Sequence, residues 1–221
     1  SYPLRVIASA AESATALGPG FVPTAISDLA TRLHGFEILV GPYAVAHLRL
    51  SEAIRGLGGA LPADGLRLYL TDTLASPHTA PPLIAAVAPL AREQRRATAF
   101  KSNVPVLVCL GNPPYDREQH EVGHVGRRRG GWVRYGEEGQ TEEDRPLLED
   151  WIEPLTALGL GGHAKNAYND YVYFWRWGVW KVFEKHPDEV AARGGVLTYI
   201  SASSFLRGPA FAVMRQRLRE L

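Results

Sequence analysis

Apolar residues along this chain follow two rhythms that take turns. Stretches with apolar positions three and four apart alternate with short, almost unbroken apolar runs, and that alternation predicts an α/β fold built on a mostly parallel sheet. Helical spacing covers about residues 3–15 and 23–33, and GFEILV (35–40) then reads as a short strand. A helix follows from Pro42 to about Arg55, with Tyr43, Ala46, Leu50 and Ile54 at helical spacing and a proline suited to its first turn. LRLYL (66–70) is a second strand, TLASPHTAPPL a loop, and a short helix starts at Pro89 and runs through AREQRRATA. VPVLVCL (104–110) is the most strand-like run, and its continuous apolar character suits a central strand covered on both faces.

From Asp116 to about Lys165 the pattern changes to polar and glycine-rich text, GHVGRRRGGWVRYGEEGQTEEDR among it, which reads as an insertion or long loop (116–165) within a single domain spanning 1–221. NDYVYFWRWGVWKVFEKH is then helical, GGVLTYISASSF holds a strand near 196–201, and Gly208-Pro209 opens a last helix. In open sheets of this kind ligands lie beyond the carboxyl ends of the strands. Glu37, Asp72 and Asn112 sit at such ends.

Composition narrows the partners only a little. The 221 residues, 46% of them hydrophobic, can bury one substantial core. A net charge of +1 gives no global pull toward nucleic acid or membrane, so any such partner is held by a local patch. The lone Cys109 excludes a disulfide framework and a cysteine-based zinc site, and suits a reducing cytoplasm. No apolar stretch is long enough for a membrane span. Helical text runs up to both ends of the chain, which is therefore expected to be a piece of a larger protein.

The sharpest local signal is the abrupt stop of VLVCL at Gly111-Asn112-Pro113-Pro114-Tyr115. Two prolines after a strand often do no more than end it, with asparagine as a turn-former. The tetrapeptide also has a chemical use. Proline fixes φ and lacks an N–H, so its neighbouring carbonyls are held outward with no competing donors. The Asn112 side chain adds a further carbonyl. Together they suit an NH₂ group, which has two hydrogens to donate, while Tyr115 offers a flat face to a planar ring.

GNPPY after an aliphatic strand resembles the fourth motif of the amino-group DNA methyltransferases that modify adenine. The resemblance extends through RLHGFEILVGPYAVAHLRL, LRLYLTDTL, NDYVYFWRWGVWKVFE and GGVLTYISASSFLRGPAFAVMRQRLRE, in the order found in type I-like single-polypeptide (type ISP) and type IIG restriction-modification enzymes. It implies a Rossmann-like fold dependent on S-adenosylmethionine, and methyl transfer to the exocyclic amine of an adenine flipped out of double-stranded DNA. The resemblance makes Asn112, Pro113, Pro114 and Tyr115 the catalytic set. Asn112 and the Pro113 carbonyl would accept from the amine, and Tyr115 would stack on the base. Phe211 would be a second stacking ring, with Phe205 as its fallback. Glu37 would bind the cofactor ribose, although an ordinary strand-end carboxylate also fits. Asp72 would accept from the cofactor's adenine amine, or simply form a turn. Tyr2 would line the cofactor pocket.

The glycine-rich first motif of that family is absent from these residues, so the fold is expected to be incomplete and this piece alone inactive. Specificity, nuclease or helicase domains of the same polypeptide would be partners, in a bacterial or phage-related cytoplasm. Two other readings stay open: an enzyme of the same motif acting on RNA or on a protein glutamine, and a non-catalytic DNA-binding subunit. No metal site is expected, because His120 and His124 lack a third ligand. Arg127–Arg129 suit either phosphate contact or a solvated loop, Trp175, Trp177 and Trp180 suit helix packing, and Cys109 suits a buried strand.

Overall fold

The computed structural model describes residues 2–79, 88–114, 129–137 and 145–221. Tyr115, His120, His124, Arg127 and Arg128 lie outside the described residues. The chain divides into two compact units. The first comprises residues 1–73 and 80–97, the second residues 74–79 and 98–221.

In the first unit, helices α1 (Tyr2–Leu17) and α2 (Val22–Arg32) lead into strand β1 (His34–Glu37), helix α3 (Val40–Gly56) and strand β2 (Arg67–Leu70). The strands pair in parallel, with Glu37 opposite Leu70. Ile7 and Ala11 of α1, Ile26 and Ala30 of α2, Leu50 and Ile54 of α3, and Leu66 and Leu68 form one buried cluster. Each helix supplies residues four apart, so one apolar stripe per helix faces the core. Tyr69 points to the opposite face of β2 from Leu68, and there Phe36 and the Arg96 guanidinium lie against its ring, at 5.8 and 5.5 Å. Arg96 belongs to α4 (Ala88–Asn103), which starts in the first unit and ends in the second.

The second unit pairs β3 (Val108–Gly111) with β4 (Val196–Tyr199), again in parallel, Gly111 opposite Tyr199. Helix α7 (Asp170–Val179) covers one face of this pair. Glycine at 178 allows a close approach: a Cβ there would stand 2.7 Å from Leu197 and 3.0 Å from the Tyr199 hydroxyl. Gly111 is under the same constraint, since its Cβ would meet the Tyr199 ring at 2.7 Å. Past Val179 the helix widens into a π-helical turn, Trp180–Glu184, in which the Lys185 amide donates to the Trp180 carbonyl. The remaining helices are α5 (Gly131–Tyr135), α6 (Glu149–Ala157), α8 (Pro187–Arg193) and α9 (Ala212–Glu220).

Three expectations change. The strand read at 35–40 spans His34–Glu37, and Val40 already opens α3 rather than Pro42, because the Glu37 carboxylate turns the chain at Ile38 and Leu39. VPVLVCL is not a continuous central strand: only Val108–Gly111 is strand, and it alternates between exposed and half-buried residues because one face of the pair is open. The expected insertion is in part core. Trp132 and Val133 of α5, Leu148, and Trp151, Ile152 and Leu155 of α6 are all buried. The polar residues between them hid helices only five and nine residues long.

The fold so far described is α/β, mostly helical, with two small parallel sheets. Among the described residues no helix is long and apolar enough to cross a membrane.

Two buried cations tie the second unit together. Lys181, fully buried, donates from Nζ to the carbonyls of Phe100 (3.1 Å), Lys101 (2.6 Å) and Val104 (2.7 Å). Those acceptors lie at the end of α4 and the start of the segment leading to β3, and the Phe100 carbonyl also accepts from the Val104 amide at 3.1 Å. Arg176, 2% exposed, donates to the Leu147 carbonyl, to Asp150 and, bidentately, to Glu184. Replacing Lys181 with methionine removes the ammonium from three carbonyls, of which that of Phe100 keeps a backbone donor, the Val104 amide. We expect Lys181→Met to cost about 3 kcal/mol, a typical penalty for buried acceptors losing a charged partner. All five tryptophans lie in the second unit, so tryptophan fluorescence during urea unfolding reads this change. Burial, then Lys185, lowers the Lys181 pKa from 10.5 to about 8. Folding therefore disfavours the charged form, and stability should rise as pH climbs from about 8 to 10.5. The methionine variant should lack that rise in the same unfolding series.

Candidate functional site

In the first unit, the parallel register brings two carboxylates to neighbouring strand ends. Glu37 closes β1 and Asp72 lies two residues past β2, while the Thr71 amide donates to the Glu37 carbonyl at 2.8 Å and extends the ladder. Both side chains are half-buried. The Glu37 carboxylate does local work as well: its Oε1 accepts from the amides of Ile38 (2.8 Å) and Leu39 (2.9 Å), bridging the turn from β1 into α3. Its Oε2 makes no hydrogen bond among the described residues, so the turn fixes the carboxylate while leaving one acceptor for a ligand hydroxyl or amine. Tyr2 begins α1 and is 41% exposed.

In the second unit, Asn112 leaves the carboxyl end of β3 and is exposed, Pro113 is buried and Pro114 is exposed. The Ile200 amide donates to the Gly111 carbonyl at 3.1 Å, so pairing with the β4 segment continues up to the residue before Asn112. Beneath this end, Cys109 and Tyr199 face each other across the pair with Sγ and hydroxyl 3.3 Å apart. Burial raises both their pKa values, so near neutral pH Cys109 is a packed thiol rather than a nucleophile. Trp175 stacks edge-on to Tyr199 (5.2 Å) and lies tilted to Phe205 (5.9 Å).

Phe211 departs from expectation. It is 5% exposed, packed in the core 6.1 Å from the Tyr171 ring, because the 3₁₀ turn Pro209–Phe211 folds it inward. The fallback residue, Phe205, is half-buried and packs against Trp175. Arg215 fixes the loop that carries it, donating to the carbonyls of Phe205 (2.8 Å) and Gly208 (2.7 Å). Arg129 lies 4.0 Å from Asp170. Trp177 and Trp180 are buried, in keeping with a packing role.

Lys181 and Arg176 were not legible as supports, since a lysine or arginine within aromatic helical text reads as a surface charge. The aromatic crowding of YVYFWRWGVWKVF was the available signal, because a helix apolar on every side is buried all round and its cations must be paired.

The chain resembles a solved structure in fold. It is similar to an "ATP-dependent Type ISP restriction-modification enzyme LlaBIII bound to DNA", with a TM-score of 0.62 and 23% sequence identity over 96% of this chain. The chain spans 13% of that protein's chain. No protein-family model and no curated protein matches the sequence.

Removing the Glu37 side chain should cost about 1 kcal/mol, as for a lost helix cap, because two amides at the entry to α3 lose their acceptor. Amide hydrogen exchange at Ile38 and Leu39 should quicken in Glu37→Ala and stay near its native rate in Glu37→Gln, which keeps an acceptor oxygen.

Proposed function

We propose that this chain is part of a DNA-modifying domain that transfers a methyl group from S-adenosylmethionine to the exocyclic amine of a flipped adenine, within a restriction-modification enzyme. The observation that carries the reading is Asn112-Pro113-Pro114 at the carboxyl end of a parallel strand. The fold likeness to part of a restriction-modification enzyme bound to DNA supports it further.

The chemistry asked of the second unit is positional. An aromatic amine is a poor nucleophile because its lone pair is delocalised into the ring. The Asn112 side-chain carbonyl and the Pro113 backbone carbonyl would each accept one amine hydrogen, and acceptors out of the base plane favour a tetrahedral nitrogen. That frees the lone pair for in-line attack, with orientation and electrostatics supplying the acceleration. Tyr115 would stack on the base, and the half-buried Phe205 suits the second aromatic position better than the buried Phe211.

The first unit would hold the cofactor. S-adenosylmethionine supplies an electrophilic methyl group when bound. Glu37, oriented by two amides and with Oε2 to spare, fits the ribose hydroxyls, and Asp72 fits the adenine amine. Tyr2 is exposed enough to line that pocket.

The test is tritiated-methyl transfer by the full-length parent polypeptide onto unmethylated double-stranded DNA, with Asn112→Ala beside it. We expect labelled adenine from the parent and a loss of about 100-fold or more in the variant, the scale seen when one polar contact to a transition state is removed. A variant as active as the parent would falsify the role of Asn112. Label appearing in RNA or protein instead would shift the substrate to those classes, and no label at all would favour a DNA-binding subunit.

A further inference from the structure

The two strands of the second sheet stop together. The Ile200 amide donates to the Gly111 carbonyl at 3.1 Å, so Asn112–Pro114 and the loop 201–208 leave the same edge of the sheet. That loop contains the 3₁₀ turn Ser203–Leu206 and is tied down from within the unit. Arg215 donates to the carbonyls of Phe205 and Gly208, the Gly208 amide donates to the Ser204 carbonyl at 2.9 Å, and the Ser204 and Tyr171 hydroxyls lie 3.0 Å apart. Phe205 packs back onto Trp175, whereas Leu206 is 58% exposed. Arg207 is exposed too, with no ion pair and no side-chain hydrogen bond among the described residues.

A single exposed leucine is ordinary on a protein surface. This one stands on anchored backbone, beside a free cation, at the edge that carries Asn112. Its surroundings favour an anionic partner. From Gly194 to Arg219 the chain carries four arginines and no carboxylate. Arg215 is engaged by the loop and Arg217 pairs with Glu220, which leaves Arg207 as the free cation on the loop itself. Ser203 and Ser204 beside Leu206 are exposed and polar, so no wide apolar area is offered to a protein partner. An apolar finger next to a guanidinium matches duplex DNA where a base has left the stack, because the gap between the neighbouring base pairs is apolar and phosphates flank it.

We propose that Leu206 is the wedge that enters the duplex as the target adenine leaves it, and that Arg207 holds a phosphate beside the gap. The inference rests on the methyl-transfer reading and adds to it the residue that keeps the base out. By filling the vacated space, Leu206 offsets part of the stacking lost on flipping and slows the return of the base. It touches neither the amine nor the methyl donor and is a positioning residue. The anchored loop presents it already in place, so insertion does not also have to order the backbone.

The test uses the full-length polypeptide that contains this chain. Tritiated-methyl transfer to double-stranded DNA first identifies the target adenine by the labelled position. Two duplexes are then compared, one with that adenine paired to thymine and one with it opposite an abasic site, where extrusion costs least. On the paired duplex Leu206→Ala should methylate about tenfold more slowly than the parent, and on the abasic duplex the two should agree within about twofold. Circular dichroism checks folding, and Leu206→Gln replaces the alanine variant if that one fails to fold. Equal rates on the paired duplex overturn the proposal. An equal loss on both duplexes also overturns it, by making Leu206 a structural contact. For Arg207→Gln, the slope of log Kd against log salt should fall by about 0.9, the contribution of one phosphate, and an unchanged slope removes Arg207 from the interface. DNA left unlabelled by the parent overturns the methyl-transfer reading and this inference with it, whereas labelled DNA with unaffected variants overturns this inference alone.

Discussion

The second unit is organised around a single ammonium group. Lys181 reaches three carbonyls that belong to two features, the last turn of α4 and the start of the run into β3. Helix ends expose acceptors that water normally satisfies, and here a buried ammonium takes that place. The π-helical turn after Val179 places the lysine, and the chain between Asn103 and Val108 is fixed at its first carbonyl as a result. The position from which Asn112 emerges is thus settled by a cation far from it in sequence. Arg176, one turn earlier on the same helix, does the same for the entry to α6 through Leu147 and Asp150.

A second constraint is the direction of the strands. Both pairs are parallel, so the polar residues that end each strand gather on a common edge within each unit. In the first unit Glu37 serves the fold and is available to chemistry at once. One of its oxygens closes the turn into α3, so the carboxylate arrives already oriented and a ligand would not have to order it.

The alternation of helical and strand-like text was enough to place α1, α2, α3 and both pairs of strands, and to bring Glu37, Asp72 and Asn112 to strand ends. It failed where the signal was longer than the structure. VPVLVCL is apolar throughout, but the Pro105 ring and the Lys181 contact hold its first residues outside the ladder, leaving four residues of strand. It failed also where the structure was shorter than the signal can resolve: α5 and α6 lie among glycines and acids that conceal a few buried tryptophans and leucines. Phe211 shows a different limit. The resemblance gave an aromatic in the segment after the last strand, whereas its inward placement was decided by a 3₁₀ turn and by packing on Tyr171.

Tyr199 lies with its ring against Gly111 and its hydroxyl against Gly178, one glycine on the partner strand and the other on the covering helix. The side chain acts as a spacer: its ring edge leaves no room for a Cβ at 111, and its hydroxyl together with Leu197 leaves none at 178. In descent the three positions form one unit of inheritance. A side chain gained at 111 needs a smaller residue at 199, whereas one gained at 178 needs both Leu197 and Tyr199 to give way, so the three contacts are coupled but not interchangeable.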